Sequence, residues 1–158
     1  MRKLYTFHGG VHPDEHKLES SALPGARAPL PQRLVLPLKQ HIGSAAKAIV
    51  VAGYKVLKGQ LLARAEGVMS AAIHAPTSGT VVSVDFQPVA HPSGLPELCI
   101  ILVPDGEERW AEHSALDYRS LPREKLLGRL RDAGIVGLGG ATFPTHVKFS
   151  AAQSIHTL

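Results

Sequence analysis

Between residues 33 and 103 the chain is a series of short apolar stretches, each cut by glycine, proline or a polar turn. Leu34-Val35-Leu36 stops at Pro37, and Ala48-Ile49-Val50-Val51 stops before Gly53. Val56-Leu57 passes through Lys58-Gly59 into Leu61-Leu62-Ala63. After Ala72-Ile73-His74-Ala75-Pro76 a turn is expected at Thr77-Ser78-Gly79. The alternating Thr80-Val81-Val82-Ser83-Val84 follows, and a run from Cys99 to Val103 closes the set. Segments this short, rich in Val, Ile and Leu and separated by turn signals, predict strands of a compact barrel or sandwich. With 15 glycines, 12 prolines and 5% aromatic residues, the composition favours a turn-rich, mainly β fold over a helical bundle.

Several function classes are excluded early. Hydrophobic residues are 44% and charged residues 19%, enough apolar material for a core and too little charge for global disorder. No apolar run approaches the roughly 20 residues of a membrane span. The net charge is +4, but the basic residues are scattered and no basic stripe with interleaved aromatics is present, so no nucleic-acid partner is expected. Cys99 is the one cysteine, set in Leu98-Cys99-Ile100-Ile101-Leu102-Val103, and reads as a small buried hydrophobe. One cysteine cannot build a disulfide within the chain or a thiolate-ligated cluster. Met1-Arg2-Lys3-Leu4 begins no secretory signal, which leaves the cytosol as the default compartment.

The segments on either side differ in character. Residues 1–32 are broken by Gly9-Gly10, Pro13, Pro24-Gly25, Pro29 and Pro31 and read as an extended arm. His8, His12 and His16 are spaced four apart, as metal ligands on one helical face would be, but Gly9, Gly10 and Pro13 oppose that helix. Residues 33–103 form the β domain, and 104–119 read as a linker whose Trp110 packs back on it. Residues 120–158 begin with a helix. Ser120 is its expected cap, Pro122 lies in its first turn, Leu126, Leu127 and Leu130 make its apolar stripe, and Gly134 ends it. A second helix is expected from Pro144 or Thr145 through Val147, Lys148 and Phe149 to the end, and a domain would not be expected to finish inside it.

Two segments carry candidate chemistry. In the first, strand, Lys-Gly turn, strand and then Ala75-Pro76-Thr77-Ser78-Gly79-Thr80-Val81 resemble the barrel-sandwich hybrid of biotinyl and lipoyl carrier domains. In carriers an acceptor lysine sits on a hairpin shortly before the Ala-Pro. Here that spacing falls on Val68, within Glu66-Gly67-Val68-Met69-Ser70, and no lysine lies between Lys58 and Pro76. A swinging-arm carrier is therefore not expected.

The second segment is Gly134-Ile135-Val136-Gly137-Leu138-Gly139-Gly140-Ala141-Thr142-Phe143-Pro144-Thr145-His146-Val147-Lys148. A glycine loop that opens a helix lets backbone N–H groups approach an anion. It follows a helix end where a dinucleotide fingerprint follows a strand, and it lacks the Gly-Lys-Ser/Thr of a P-loop. Lys148, one turn into the expected helix, is placed to face a phosphate or flavin. By composition alone, a functional and a structural loop are equally open.

The pattern Gly-x-Gly-Gly-Ala-x-Phe-Pro-Thr-x-x-Lys is similar to the flavin loop of the FMN- and NADH-binding subunit of respiratory complex I. The chain as a whole resembles the N-terminal part of the RnfC/RsxC family, a subunit of the ion-translocating Rnf/Rsx electron transport complexes. The resemblance rests on Phe7-His8-Gly9-Gly10-Val11-His12-Pro13, Leu36-Pro37-Leu38-Lys39-Gln40-His41-Ile42-Gly43, His74-Ala75-Pro76-Thr77-Ser78-Gly79 and the glycine loop. It implies a barrel-sandwich hybrid domain followed by the start of an α/β FMN-binding domain, in a peripheral subunit at the cytoplasmic face of the bacterial inner membrane. It also implies FMN, NADH and [4Fe–4S] clusters in the full-length subunit, with the other subunits of the membrane complex as partners.

Carried over by position, Gly137, Gly139, Gly140 and Ala141 would line the FMN. Phe143 would sit near the nicotinamide, and Lys148 would contact the flavin or its phosphate. Thr142 stands where the resemblance calls for glycine, and the chain ends before any cluster-binding cysteines. It is thus expected to be the front of a longer subunit, inactive alone and weak in FMN binding, with only one wall of the pocket. The alternative is a non-catalytic docking module. For His41 and His74 two readings stand, a histidine satisfied within its turn and a member of the docking surface.

Overall fold

The computed structural model describes residues 8–11 and 13–150. The strands are β1 (Leu34–Pro37), β2 (Lys47–Ala48), β3 (Lys55–Val56), β4 (Leu61–Arg64), β5 (Ile73–His74), β6 (Gly79–Pro88) and β7 (Pro96–Pro104). The helices are α1 (Leu18–Ser21), α2 (Arg123–Asp132) and α3 (Thr145–Lys148). The fold is mainly β, as the segment pattern requires.

Two antiparallel sheets face each other. One has the order β1-β7-β6-β3 and the other β2-β4-β5. Between them lie Leu38, Val50, Val56, Leu62, Ile73, Val81, Ile100 and Leu102, with small alanines at 46, 63 and 75. Successive strand residues point to opposite faces. In β7, Ile100 and Leu102 join this core, while Cys99 and Ile101 on the other face are buried as well. Cys99 is fully buried, and that burial pushes its thiol pKa up, as expected of a packed residue and not a reactive one.

The long β6–β7 hairpin outruns the expected strands. Pairing continues through Asp85↔Cys99, Phe86↔Leu98 and Gln87↔Glu97 to Pro88↔Pro96. The polar Asp85-Phe86-Gln87-Pro88 lacks the alternation that marks a half-buried strand, because this end of the hairpin projects beyond the core, with Phe86 exposed. Conversely, β2 is only two residues long. Val50 enters the core in irregular backbone after Ile49 N–H bonds to the Leu62 carbonyl.

Residues 105–111 do not cross open space. Ser78 Oγ donates to Asp105 at 2.7 Å and accepts from Arg109 N–H at 2.9 Å. Lys58 and Trp110 form a parallel bridge, with the Lys58 ammonium 5.1 Å from the indole centroid and 2.8 Å from Glu108. Trp110 thus packs back onto the β3–β4 turn, while keeping much of its ring exposed.

The helical start also differs from expectation. Ser120 belongs to a 3-10 turn, Tyr118–Ser120, and its hydroxyl donates to the Asp117 carbonyl, so it does not cap α2. Pro122 takes the N-cap position, and Gly134 follows α2 at φ +71°. Helix α3 is a single turn that ends at Lys148 with Phe149 as its C-cap, not a helix continuing through Phe149. Residues 151–158, into which it was expected to run, lie outside the described residues. His12 lies outside them too. Among the described residues, His8 is exposed, and His16 is exposed and paired with Glu19 at 2.8 Å. No cluster of metal-ligating side chains occurs among the described residues, and no helix among them is long and apolar enough to cross a membrane.

Candidate functional site

The loop from Val136 to Pro144 closes as a small β-bridged turn. Val136 pairs with Pro144, and Gly137 N–H donates to the Phe143 carbonyl at 2.8 Å. Inside it, Thr142 N–H donates to the Gly139 carbonyl at 2.9 Å. The N–H groups of Gly139, Gly140 and Ala141 have no hydrogen-bond partner among the described residues. A side-chain carbon at Gly139 or Gly140 would meet open space, so these glycines leave bare backbone facing outward. Leu138 between them and Gly137 is fully exposed.

Lys148 reaches back across this turn. Its Nζ lies 2.7 Å from where a Cβ on Gly137 would stand, and 5.9 Å from the Phe143 ring centroid. Gly137, Phe143 and Lys148, far enough apart in the chain to be unrelated by a single turn, therefore meet on one side of the loop. The Lys148 ammonium stands beside Gly137 and the Phe143 ring, and the same loop carries N–H donors without partners among the described residues at Gly139, Gly140 and Ala141; both kinds of group can bind an anion.

The loop and the segment around it are fastened to the barrel at two places. At the first, Ile42 N–H donates to the Ala141 carbonyl at 3.1 Å, and Thr142 Oγ1 donates to the Gln40 carbonyl at 2.9 Å. Together these segments wall a cleft of about 530 Å³, which Lys39, His91 and Glu97 also line. The second fastening is the hairpin that holds the lysine in carriers. Arg131 Nη2 donates to the Gly67 carbonyl at 2.6 Å and the Ala65 carbonyl at 3.3 Å. His146, buried on α3, bonds through Nε2 to the Val68 carbonyl at 3.0 Å. The hairpin tip is thus a socket for the following segment.

The chain belongs to the RnfC barrel sandwich hybrid domain family. The family model matches residues 5–107, which covers the whole double-sheet core described above. Three relatives carry the name of the C subunit of an ion-translocating oxidoreductase complex. That of Pseudomonas aeruginosa is 50% identical over 100% of this chain, and those of Pectobacterium carotovorum and Edwardsiella ictaluri are 48% identical over 99% of it. The chain spans only about a fifth of their length, between 20% and 21%.

In this member of the RnfC barrel family, His41 is a packing residue. His41 accepts from Ala71 N–H at Nε2 (3.0 Å) and faces the Ile42 carbonyl through Nδ1 (3.0 Å), which assigns the neutral Nδ1–H form. His74 stands beside Gly134, where burial lowers its pKa against the opposing pull of Asp132. The buried His41 is thus no free docking surface, while His74 is half-buried. The roles of His146 and Arg131 are not readable from the sequence. Arg131 sits between Leu130 and Asp132 and His146 between Thr145 and Val147, and nothing in those neighbours says that two carbonyls some 60 to 80 residues earlier need donors.

Proposed function

We propose that this chain forms the N-terminal part of a peripheral electron-transfer subunit in an ion-translocating oxidoreductase complex, and that its glycine loop supplies one wall of an FMN site. In this reading Gly137, Gly139, Gly140 and Ala141 line the flavin nucleotide, the last three through free N–H groups. Phe143 lies toward the nicotinamide of NADH, and Lys148 pairs with the phosphate or the flavin ring. The observation that carries it is the Lys148 ammonium folded back on Gly137 beside Phe143, in a loop whose Gly139, Gly140 and Ala141 N–H groups have no partners among the described residues. FMN, when bound, supplies the redox chemistry that accepts a hydride and passes electrons singly. The residues of this chain hold its charge and position its edge.

The [4Fe–4S] clusters belong, on this reading, to the remaining length of the subunit, because Cys99 is the one cysteine here and is buried in the sheet. The residues after 120 are then the start of an α/β FMN-binding domain that the remaining length completes. The subunit sits at the cytoplasmic face of the inner membrane and meets the other subunits there. The test is FMN affinity by calorimetry in a full-length protein with this sequence at its N-terminus. Lys148→Ala is expected to weaken binding by about 1.5–3 kcal/mol, the loss of one charge-assisted hydrogen bond. Unchanged affinity would remove Lys148 from the site.

A docking role for the barrel is a second reading, favoured by the projecting β6–β7 hairpin, which leaves Phe86 and Leu95 exposed near its tip. Phe86→Asp with Leu95→Asp in the full-length protein should then abolish co-purification with its membrane partners while FMN is retained. Retained co-purification would exclude the hairpin as the docking site.

A further inference from the structure

Thr142 sits at φ +42°, in the left-handed region that β-branched residues avoid. Something must hold it there. Three hydrogen bonds do so, and two of them come from the barrel. Thr142 N–H reaches the Gly139 carbonyl, Thr142 Oγ1 reaches the Gln40 carbonyl, and the neighbouring Ala141 carbonyl receives Ile42 N–H. The barrel side of this contact is itself tied down. Gln40 Nε2 donates to the Pro37 carbonyl at 3.0 Å, and His41 is buried with both ring nitrogens engaged.

A glycine at 142 would reach φ +42° without strain but would have no hydroxyl to offer Gln40. Threonine accepts the strain and gains the anchor. The consequence lies two and three residues back, at Gly140 and Gly139, which are exposed and where a side-chain carbon would meet open space.

We propose that Thr142 is a positioning residue for the FMN loop: through its hydroxyl bond to Gln40, the barrel sets the conformation of Gly139-Gly140-Ala141 before the cofactor arrives. The proposal rests on the flavin reading above and adds that the barrel takes part in cofactor binding by holding the loop. A preformed loop loses less conformational entropy on binding, so the anchor should show in affinity as well as in loop motion.

The experiment compares Thr142→Val, which keeps shape and branching but loses the donor, with Thr142→Ser, which keeps the donor. Both are made in the full-length protein, and two quantities are read: FMN affinity, and amide hydrogen exchange over residues 137–143 in the flavin-free protein. Thr142→Val should weaken FMN about fivefold, the loss of one neutral hydrogen bond, and raise exchange in the loop, while Thr142→Ser stays within about twofold on both. Exchange across β1, β6 and β7 serves as the folding control. If Thr142→Val binds FMN and protects the loop as the parent does, or if Thr142→Ser fails as badly as Thr142→Val, the proposal is overturned. Lys148→Ala separates the two levels. Should it weaken FMN while Thr142→Val does not, only the positioning role falls; should the full-length parent bind no FMN at all, the flavin reading falls and this role with it. If Thr142→Val disrupts the folding control, Thr142→Ala takes its place with the same two readouts and the same deciding outcomes.

Discussion

His146 on helix α3 bonds to the carbonyl of Val68, the position at which a carrier domain of this architecture would hold its acceptor lysine. The hairpin that presents a swinging arm in carriers is used here to seat the segment that follows the barrel. Arg131 reinforces it one residue earlier, at the Gly67 carbonyl. Gly67 turns the hairpin at φ +74°, which aims its carbonyl and that of Val68 toward α2 and α3.

Replacing His146 should loosen this seat. His146→Ala removes the bond to Val68 and leaves a void in a buried position, for an expected loss of about 1–3 kcal/mol. Denaturant unfolding measures the total, and hydrogen exchange should place the loss in residues 120–150 with the barrel strands unaffected. An equal loss of protection in β6 and β7 would show that the seat is part of the barrel's own cooperative unit.

Gly134 should tolerate no side chain. It has φ +71°, and a Cβ there would collide with the Ala72 carbonyl, a backbone atom that cannot turn aside. Ala72 N–H is meanwhile held by the Arg131 carbonyl at 3.2 Å, so the residue before β5 and the helix end cannot separate without losing that bond. Gly134→Ala is expected to cost about 2–4 kcal/mol by calorimetry, combining left-handed strain with an overpacked contact. A change below about 0.5 kcal/mol, the usual range for an unconstrained surface site, would contradict the close approach.

Asp105 makes stability depend on acid. Its pKa falls from 3.8 to about 2, first through the hydrogen bond from Ser78, then through the Glu107 N–H and Arg109. The folded state therefore favours the ionised carboxylate. Its contribution is fully present above the ordinary value of 3.8 and is lost as pH falls through about 2. Asp105→Asn should lower stability at pH 6, and its difference from the parent should shrink as titration proceeds from pH 4 toward 2. A difference constant with pH would mean that shape and not charge holds the 105–109 strap.

Much of the barrel is legible in local chemistry. Val81, Ile100 and Leu102 lie in runs whose residue types and turn signals already specify strands, and they form the core. Cys99 reads as buried from its neighbours alone, and it is buried. Gly137, Phe143 and Lys148 are visible as a motif, and the structure brings the three together. The outer half of the β6–β7 hairpin is hidden for the opposite reason. Phe86 and Gln87 are strand because β7 pairs with them, and not because their own pattern demands it.

The sequence by itself determined a turn-rich β domain, the absence of an acceptor lysine before Pro76, and a glycine loop opening a helix. These follow from residue type and from neighbours a few positions away. Only the tertiary structure decided that Thr142 is anchored to Gln40 and that Arg131 and His146 close on Gly67 and Val68. Each of these bonds ends on a backbone carbonyl, and every residue carries a carbonyl. No residue type marks which one will be left without a partner when two sheets close, so such pairings emerge only once the chain has packed.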